Sequence, residues 1–398
     1  MNISSSAESS VPDRVGTVAT LSLAHLVNDW YMNFPQVLLP FLAASGLAVS
    51  KGAFLVSAFT ITSSLLQPVF GWWADRKGRR FPVFVGTAWM ALCMGAIACT
   101  QGYVARLVLI GLAGLGTAAF HPQASALVAR SSGSSKGFWQ GIFIASGNVG
   151  WALSPLLLVP FLQRFGLPGI GWCALPGLAM ALVLVVMLRG IAPSNSRGAQ
   201  VPDLGAVLSR ARGTLLRILA VVALRSWAYF GIIAFLPLYL QKRQIGLASS
   251  SRLLFVMLFT GALGGLCGGF WSDRLAARDG RRRILAGSLL LATPALLLAL
   301  RFSGTPLGSV ILGLAGALAL ASFSITVVLA QQALGRAAAL ASGLTLGFGV
   351  GIGGLGVGFT GLLVERFGIS AAMTGLCLLP FVGGLLALRI RPAASAAN

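Results

Sequence analysis

The sequence predicts an all-α integral membrane protein with twelve transmembrane helices in two pseudo-symmetric six-helix bundles, both termini cytoplasmic. Three observations lead there. The 398 residues are 57% hydrophobic and only 9% charged, whereas a water-soluble domain carries about 25% charged residues. Apolar runs of ~20 residues recur along the chain, each long enough to cross ~30 Å of hydrocarbon as a helix. GWWADRKGRR at 71–80 returns as GFWSDRLAARDGRRR at 269–283, with Asp75 and Asp273 198 residues apart, half the chain. A repeat at that spacing is the mark of a duplicated transporter.

Charged, polar and Gly/Pro clusters divide the chain into spans 15–43, 50–74, 81–100, 104–130, 137–163, 168–190, 215–241, 249–276, 281–301, 305–333, 337–366 and 369–390. Residues 1–14 are polar and read as a disordered cytoplasmic N-terminus. The run after them is too long for a signal h-region and no A-x-A site follows, so it reads as an uncleaved first span. Residues 15–190 make the first six-helix bundle and 215–390 the second. Residues 191–214, with Pro193, Ser194, Asn195, Ser196 and several arginines, form a cytoplasmic linker, and 391–398 a cytoplasmic tail.

The net charge of +21 does not indicate a nucleic-acid partner, because the basic residues mark the short loops rather than one patch. With the N-terminus in the cytoplasm, twenty of the 29 Lys and Arg fall on the cytoplasmic side and eight on the outer side, the positive-inside pattern. Arg225 alone lies inside an apolar run. The five cysteines, Cys93, Cys99, Cys173, Cys267 and Cys377, all sit in apolar segments without a C-x-x-C pair. They read as small buried hydrophobes rather than a disulfide frame or metal site.

Gly71, Asp75, Arg76, Gly78, Arg79 and Arg80 fit G-x-x-x-D-R-x-G-R-R between the second and third spans, which resembles the signature of the major facilitator superfamily. HLVND in the first span, TSSLLQP (62–68), AAFHPQASALVAR (118–130), SGNVGWALSP (146–155) and AQQALGRAAALASGLTLGFGVGIGGLG (330–356) are similar to the fosmidomycin-resistance branch of efflux proteins. The resemblance covers nearly the whole chain after residue 15. It implies the superfamily fold, with the first and seventh spans lining a central cavity. It also implies that the 71–80 cluster, with Asp273 and Arg274 in the second copy, latches the two halves on the cytoplasmic side. The plainer reading of that cluster is a topological charge marker. Gln123 and Gln332 stand where relatives often carry Glu, so any mechanism resting on those acids is altered here. The arginine that many drug/proton antiporters place mid-way along the fourth span is replaced by Gly111 and Gly114.

Asp29 stands out inside the first span. Fourteen residues from Val15 amount to about 21 Å of helix, near mid-depth. An unpaired charge there costs from ~2.5 to over 10 kcal/mol, so it faces a cavity or a partner. His25 and Asp29 are four apart on one face with Met32 and Gln36, and Asn28 lies one position aside. This face reads as a proton or substrate site, or as a packing bond to a neighbouring helix. Shifted back by 198, Arg225 falls at position 27, so Arg225 and Asp29 are expected to face each other across the cavity or to bind opposite ends of a polar substrate. His121 precedes Pro122, which frees a backbone carbonyl and allows a kink. It reads as a proton relay or ligand, or equally as a satisfied core histidine, and Gln123 beside it as a cavity hydrogen-bonder. No second His or acid lies at ligand spacing, so no metal is expected.

Tyr31, Trp227, Tyr229 and Gln332 are assigned to the cavity wall, although interfacial belts use the same aromatics. Gly147, Asn148, Gly150 and Pro155 in the fifth span, and Gly347, Gly351 and Gly354 in the eleventh, allow close helix approach. They are expected at the moving interface between halves.

No nucleotide-binding loop is present, so the expectation is secondary active transport rather than an enzyme, with no cofactor. The resemblance implies proton-coupled export of a small polar compound such as an antibiotic, a phosphonate or hydroxamate, or a siderophore-like metabolite. The alternative is proton-coupled uptake of a small organic anion. The expected partners are a small-molecule substrate, protons and the lipid bilayer, and the expected state a monomer in the bacterial inner membrane.

Overall fold

The computed structural model describes residues 15–70, 81–132, 136–189, 204–275, 279–334, 341 and 343–390, and among these residues there is no strand. An apolar chain in lipid must satisfy its backbone internally, and a helix does so within one segment. The elements are α1 (Val15–Met32), α2 (Phe34–Ala44), α3 (Val49–Leu65), α4 (Phe81–Ala96), α5 (Tyr103–Ser131), α6 (Lys136–Phe165) and α7 (Ala174–Met187). They continue with α8 (Leu204–Lys242), α9 (Leu247–Arg274), α10 (Gly280–Arg301), α11 (Pro306–Leu334), α12 (Val350–Phe367) and α13 (Ile369–Leu388). A π-helical stretch, Gly343–Gly349, opens α12. Pro122, Pro155, Pro160, Pro237, Pro294 and Pro380 all lie inside helices, which membrane helices tolerate when neighbours re-satisfy the freed groups.

Among the described residues, ten helical stretches are long and apolar enough to cross a membrane. Two of the twelve expected spans are not in that set. The apolar helix of the third, Val83–Cys99, is shorter. The first is interrupted at Asn33, whose φ of −93° and ψ of −1° separate α1 from α2, with Pro35 in the opening turn of α2. Proline lacks the N–H that would continue the ladder, and Asn33 Nδ2 instead ties the bend to the Trp151 carbonyl of α6 at 3.3 Å. Helix α8 begins at Leu204, so it takes in the second part of the segment read as a linker. Val104, Leu182 and Val310 are among many large apolar side chains left exposed. A surface this apolar fits contact with lipid rather than water.

The apolar packing differs at the two ends of the helices. Near the connections at 45–48 and 243–246, Leu39, Ala53 and Ala152 share one buried cluster with Ile233, Leu236 and Leu254. Toward the 71–80 end the chain has two separate clusters. One is built from Val18, Leu21, Phe120, Leu127 and Leu184, the other from Ile218, Val222, Leu289, Ile325 and Leu334. Residues before 190 and after 204 thus share one buried apolar cluster at one end and form separate ones at the other, where Gly343 and Gly347 still approach Pro68 and Ser64.

Helix α12 runs between α3 and α8. A Cβ on Gly354 would press on Thr60, one on Gly361 on Ser50, and one on Gly353 on Ser226. The Ser57 hydroxyl donates to the Gly354 carbonyl at 2.7 Å and accepts from the Gly358 N–H at 2.8 Å. Glu365 Oε1 accepts from the Ser50 N–H at 2.9 Å, at the start of α3, where orphan donors and the helix dipole favour an acid. Gly347 and Gly351 likewise abut Ser64 and Leu65, so the eleventh-span glycines join α3 to the last third of the chain. The fifth-span glycines do not. A Cβ on Gly150 would run into the Leu26 carbonyl of α1, and Gly147 faces His25 and Asp29. They pack within the first 190 residues, because the contact they relieve is with α1 and not with a helix of the other half.

An added methyl at Gly150 meets backbone, which cannot move aside. Gly150→Ala is expected to destabilise by about 1–3 kcal/mol, seen as a lower melting temperature in detergent. Gly141→Ala, with open space around it, should melt no lower than the parent chain.

Candidate functional site

Helix α1 brings His25, Asn28 and Asp29 to one buried face. Helix α5 adds His121, one residue before Pro122, and α6 adds the Phe143 carbonyl and the bare backbone of Gly147. His121 Nε2 stands 3.0 Å from Asp29 Oδ1, and His25 Nε2 stands 3.3 Å from Asp29 Oδ2. The two Nε2 atoms are 3.1 Å apart, with the rings edge to face. His25 also stacks on the Phe143 ring at 4.0 Å. Around this core, the Thr117 hydroxyl lies 3.0 Å from Asn28 Oδ1. Asn28 Nδ2 is buried without a hydrogen-bond partner among the described residues.

The other ring nitrogens fix the protonation pattern. His25 Nδ1 donates to the Phe143 carbonyl at 2.6 Å, and His121 Nδ1 to the Thr117 carbonyl at 3.1 Å. A carbonyl oxygen only accepts, so both Nδ1 atoms carry hydrogen, and each neutral ring presents a lone pair at Nε2. Two such lone pairs and two carboxylate oxygens then converge with no hydrogen between them. That set repels itself unless a cation sits among its members. The chemistry available to the cluster is to hold and release a small cation.

The sequence reading pairs Asp29 with His25 correctly in space, but His121 enters as a full member rather than as a lone core histidine. The expectation of no metal rested on spacing along the chain, and the fold brings His25, Asp29 and His121 together although Asp29 and His121 are 92 positions apart. Gln123 is buried but takes no part in the cluster. Asp29 and Arg225 do not pair. Arg225, only 3% exposed, lies with its guanidinium 4.8 Å from the Phe323 ring centre and Nη1 3.5 Å from Thr326 Oγ1. Among the described residues no acid approaches it. The repeat offset matches position along the helices, yet side-chain direction sends Arg225 into a pocket shared with Tyr229, Met257 and Leu296.

Tyr31 is not a cavity-wall residue. It is fully buried, its hydroxyl donating to the Cys173 carbonyl and accepting from the Gly177 N–H at 2.9 Å. Trp227 packs against Gly356 and donates from Nε1 to Thr360 Oγ1 at 2.8 Å. Tyr229 is half-buried beside Arg225, and Gln332 is exposed. Asn148 is half-buried, and Pro155 lies inside α6. The expected gate residues Gly71, Asp75, Arg76, Gly78, Arg79 and Arg80 lie outside the described residues, as does the Asp273 side chain. Arg274 stacks on the Phe270 ring at 4.2 Å. Glu365 is the residue the sequence reading overlooked, and the signal for it was an acid inside the apolar segment 337–366.

Residues 21–279 match the profile of the Major Facilitator Superfamily. The chain belongs to the major facilitator superfamily. Among curated relatives it is similar to an uncharacterized MFS-type transporter, YfnC, of Bacillus subtilis (strain 168), 28% identical, with 91% of this chain and 90% of that protein covered. It is also similar to the Fosmidomycin resistance protein of Escherichia coli (strain K12), 27% identical over 93% of this chain and 91% of that one. Among solved structures, an inward-facing bacterial homolog of the lysosomal transporter Spinster superposes with a TM-score of 0.74 at 17% identity, covering 96% of each chain. A peptide transporter POT reaches 0.77 at 17% identity, again covering 96% of each. At such identities the likeness concerns the fold. Membership makes the chain a multi-pass membrane transporter of small molecules, not an enzyme.

Removing the Tyr31 hydroxyl orphans a buried carbonyl and a buried N–H. Tyr31→Phe is expected to lose about 1–3 kcal/mol of stability in a detergent melt while leaving substrate affinity unchanged. A changed affinity with an unchanged melt would return Tyr31 to the cavity wall.

Proposed function

We propose that this chain is a secondary active exporter with twelve spans in two six-helix halves, 15–190 and 215–390, and both termini cytoplasmic. It works as a monomer in a bacterial inner membrane and moves a small polar compound outward in exchange for protons. The observation that carries this reading is the pairing of an apolar cluster shared at one end with a buried cation-holding cluster. Halves that share one apolar cluster near 45–48 and 243–246, and have separate clusters at the other end, suit a protein that rocks between two openings. His25, Asp29 and His121 lie part-way along their helices, so rocking changes the side from which a proton reaches them.

Export is supported by similarity to the Fosmidomycin resistance protein. The cargo is an antibiotic, a phosphonate or hydroxamate, or a siderophore-like metabolite, and the orphan Nδ2 of Asn28 offers a donor that such a polar compound can satisfy. The glutamines at 123 and 332 leave Asp29 as the principal mid-membrane carboxylate. The 71–80 and 273–274 charge clusters, on this reading, latch the cytoplasmic side when the shared apolar cluster opens, while Glu365 on the Ser50 N–H holds the opposite side shut.

Uptake of a small organic anion is the second reading. Arg225 favours it, as a buried guanidinium without an acid among the described residues. Relatives named for 4-methylmuconolactone and sulfoacetate transport lend it chemistry of that kind.

In proteoliposomes, Asp29→Asn is expected to abolish proton-driven transport and to spare exchange of substrate against substrate. Intact proton drive in that variant would refute the role of Asp29. A sensitivity screen of a knockout and an overexpressor across antibiotics, phosphonates and chelators separates the two directions: export predicts lost tolerance on deletion, uptake predicts lost growth on a nutrient. Arg225→Ala that inserts normally and transports at the full rate would remove Arg225 from the cargo site.

A further inference from the structure

We propose that His25, Asp29 and His121 form a binding site for one divalent transition-metal ion of the zinc class, occupying the lone pairs that otherwise hold the proton. The proposal goes beyond the transport reading, since binding is an equilibrium property of the resting protein.

The spacing of the donor atoms carries it. Two imidazole nitrogens and one carboxylate oxygen about 2.0–2.1 Å from a tetrahedral ion stand roughly 3.3 Å from one another, and about 3.0 Å at right-angled coordination. The two Nε2 atoms are 3.1 Å apart, and each stands against its own oxygen of Asp29, His121 Nε2 at 3.0 Å from Oδ1 and His25 Nε2 at 3.3 Å from Oδ2, spacings that a carboxylate facing the ion with both oxygens would meet. The three side chains offer one ligand atom each, all within 4.8 Å of one another. Three protein side chains would leave a further position open, as in zinc sites with three protein ligands.

The support behind the ligands matches as well. Histidines that bind metal commonly donate their other ring N–H to a carbonyl or carboxylate, which fixes the tautomer and ring orientation. Both histidines do this, through the Phe143 and Thr117 carbonyls, and the Phe143 ring holds His25 by stacking. The room is provided by Gly147. A Cβ there would stand 2.6 Å from His25 Nε2 and 2.6 Å from Asp29 Oδ2, too close to leave room for an ion bonded to those atoms. Neutral imidazoles with one carboxylate suit borderline ions such as Zn2+ and Co2+ rather than Ca2+ or Mg2+, which prefer all-oxygen sites. The ligands must be unprotonated to bind metal, so a proton and the metal are exclusive occupants.

The test is a Co2+ titration of the full-length, tag-free protein in detergent, without substrate or gradient, followed by visible absorption. The expected result is one equivalent of bound Co2+ with the intense d–d bands of a four-coordinate N/O site, displaced by Zn2+ and not by Mg2+. His121→Gln and His25→Gln are each expected to weaken binding at least about 100-fold, since loss of a mere supporting partner already costs 10–100-fold. Gly147→Ala keeps all three ligands and is expected to abolish the bands. It also serves if a histidine variant fails to fold. Cys99 and Cys267, expected buried from the sequence, are exposed, and their thiols are the competing ligands. Binding that shows thiolate charge-transfer absorption and persists in the histidine and Gly147 variants would overturn the proposal, as would no stoichiometric binding at all. Either failure leaves the proteoliposome test of Asp29 unaffected, so the two readings fall separately.

Discussion

The controlling constraint is a carboxylate placed where hydrocarbon, not water, is the surrounding medium. Asp29 is tolerable in α1 only because two histidines reach it from above and across, and those rings are themselves pinned by carbonyls of α5 and α6. Helices α1, α5 and α6 are therefore tied by chemistry as well as by packing. The glycines of α6 follow from the same constraint. Gly147 makes space for the polar cluster, and Gly150, one turn on, lets α6 lie against the α1 backbone. Residues that look like generic small-residue packing are the walls of an ionisable pocket.

Away from the cluster the fold spends its polar groups on joints. Ser57 is inserted between a carbonyl and an N–H of α12, and Asn33 braces the bend of the first span. Tyr31 clamps the run before α7. In lipid there is no general hydrophobic force between helices, so close backbone contact and interhelical hydrogen bonds carry association. Each of these side chains sits where two helices would otherwise part.

Much of this was legible beforehand. Hydropathy alone marks where most helices run, because a lipid-spanning helix cannot hide its apolar face. The chemistry of α1 was legible too, since an acid with a histidine one turn away is rare in such a run. The partnership with His121 was not, because nothing in a sequence says which face of α5 turns toward α1. The absence of an Arg225–Asp29 pair has a related reason. A repeat offset predicts a backbone position, but the rotamer and the neighbouring Phe323 decide where a long side chain points. The interruption at Asn33 was signalled by Pro35 and was hidden by the unbroken hydropathy on either side of it.

Helix α12 has one more property. Where it meets α3 and α8 it offers mostly glycine, so its own side of those contacts is main chain, against which the side chains of Thr60, Leu65, Ser226 and Trp227 lie. Two cogged surfaces can slide only by lifting every tooth over its neighbour, with a barrier for each rotamer that must flip. A smooth surface has no such ratchet. Helix α12 is in this sense a bearing: it brings few cogs of its own, and displacement along it meets a few discrete hydrogen bonds, those of Ser57, Glu365 and the Trp227–Thr360 pair. On the transport reading proposed above, the pace of rocking would then follow how quickly those few bonds exchange and what occupies the Asp29 cluster.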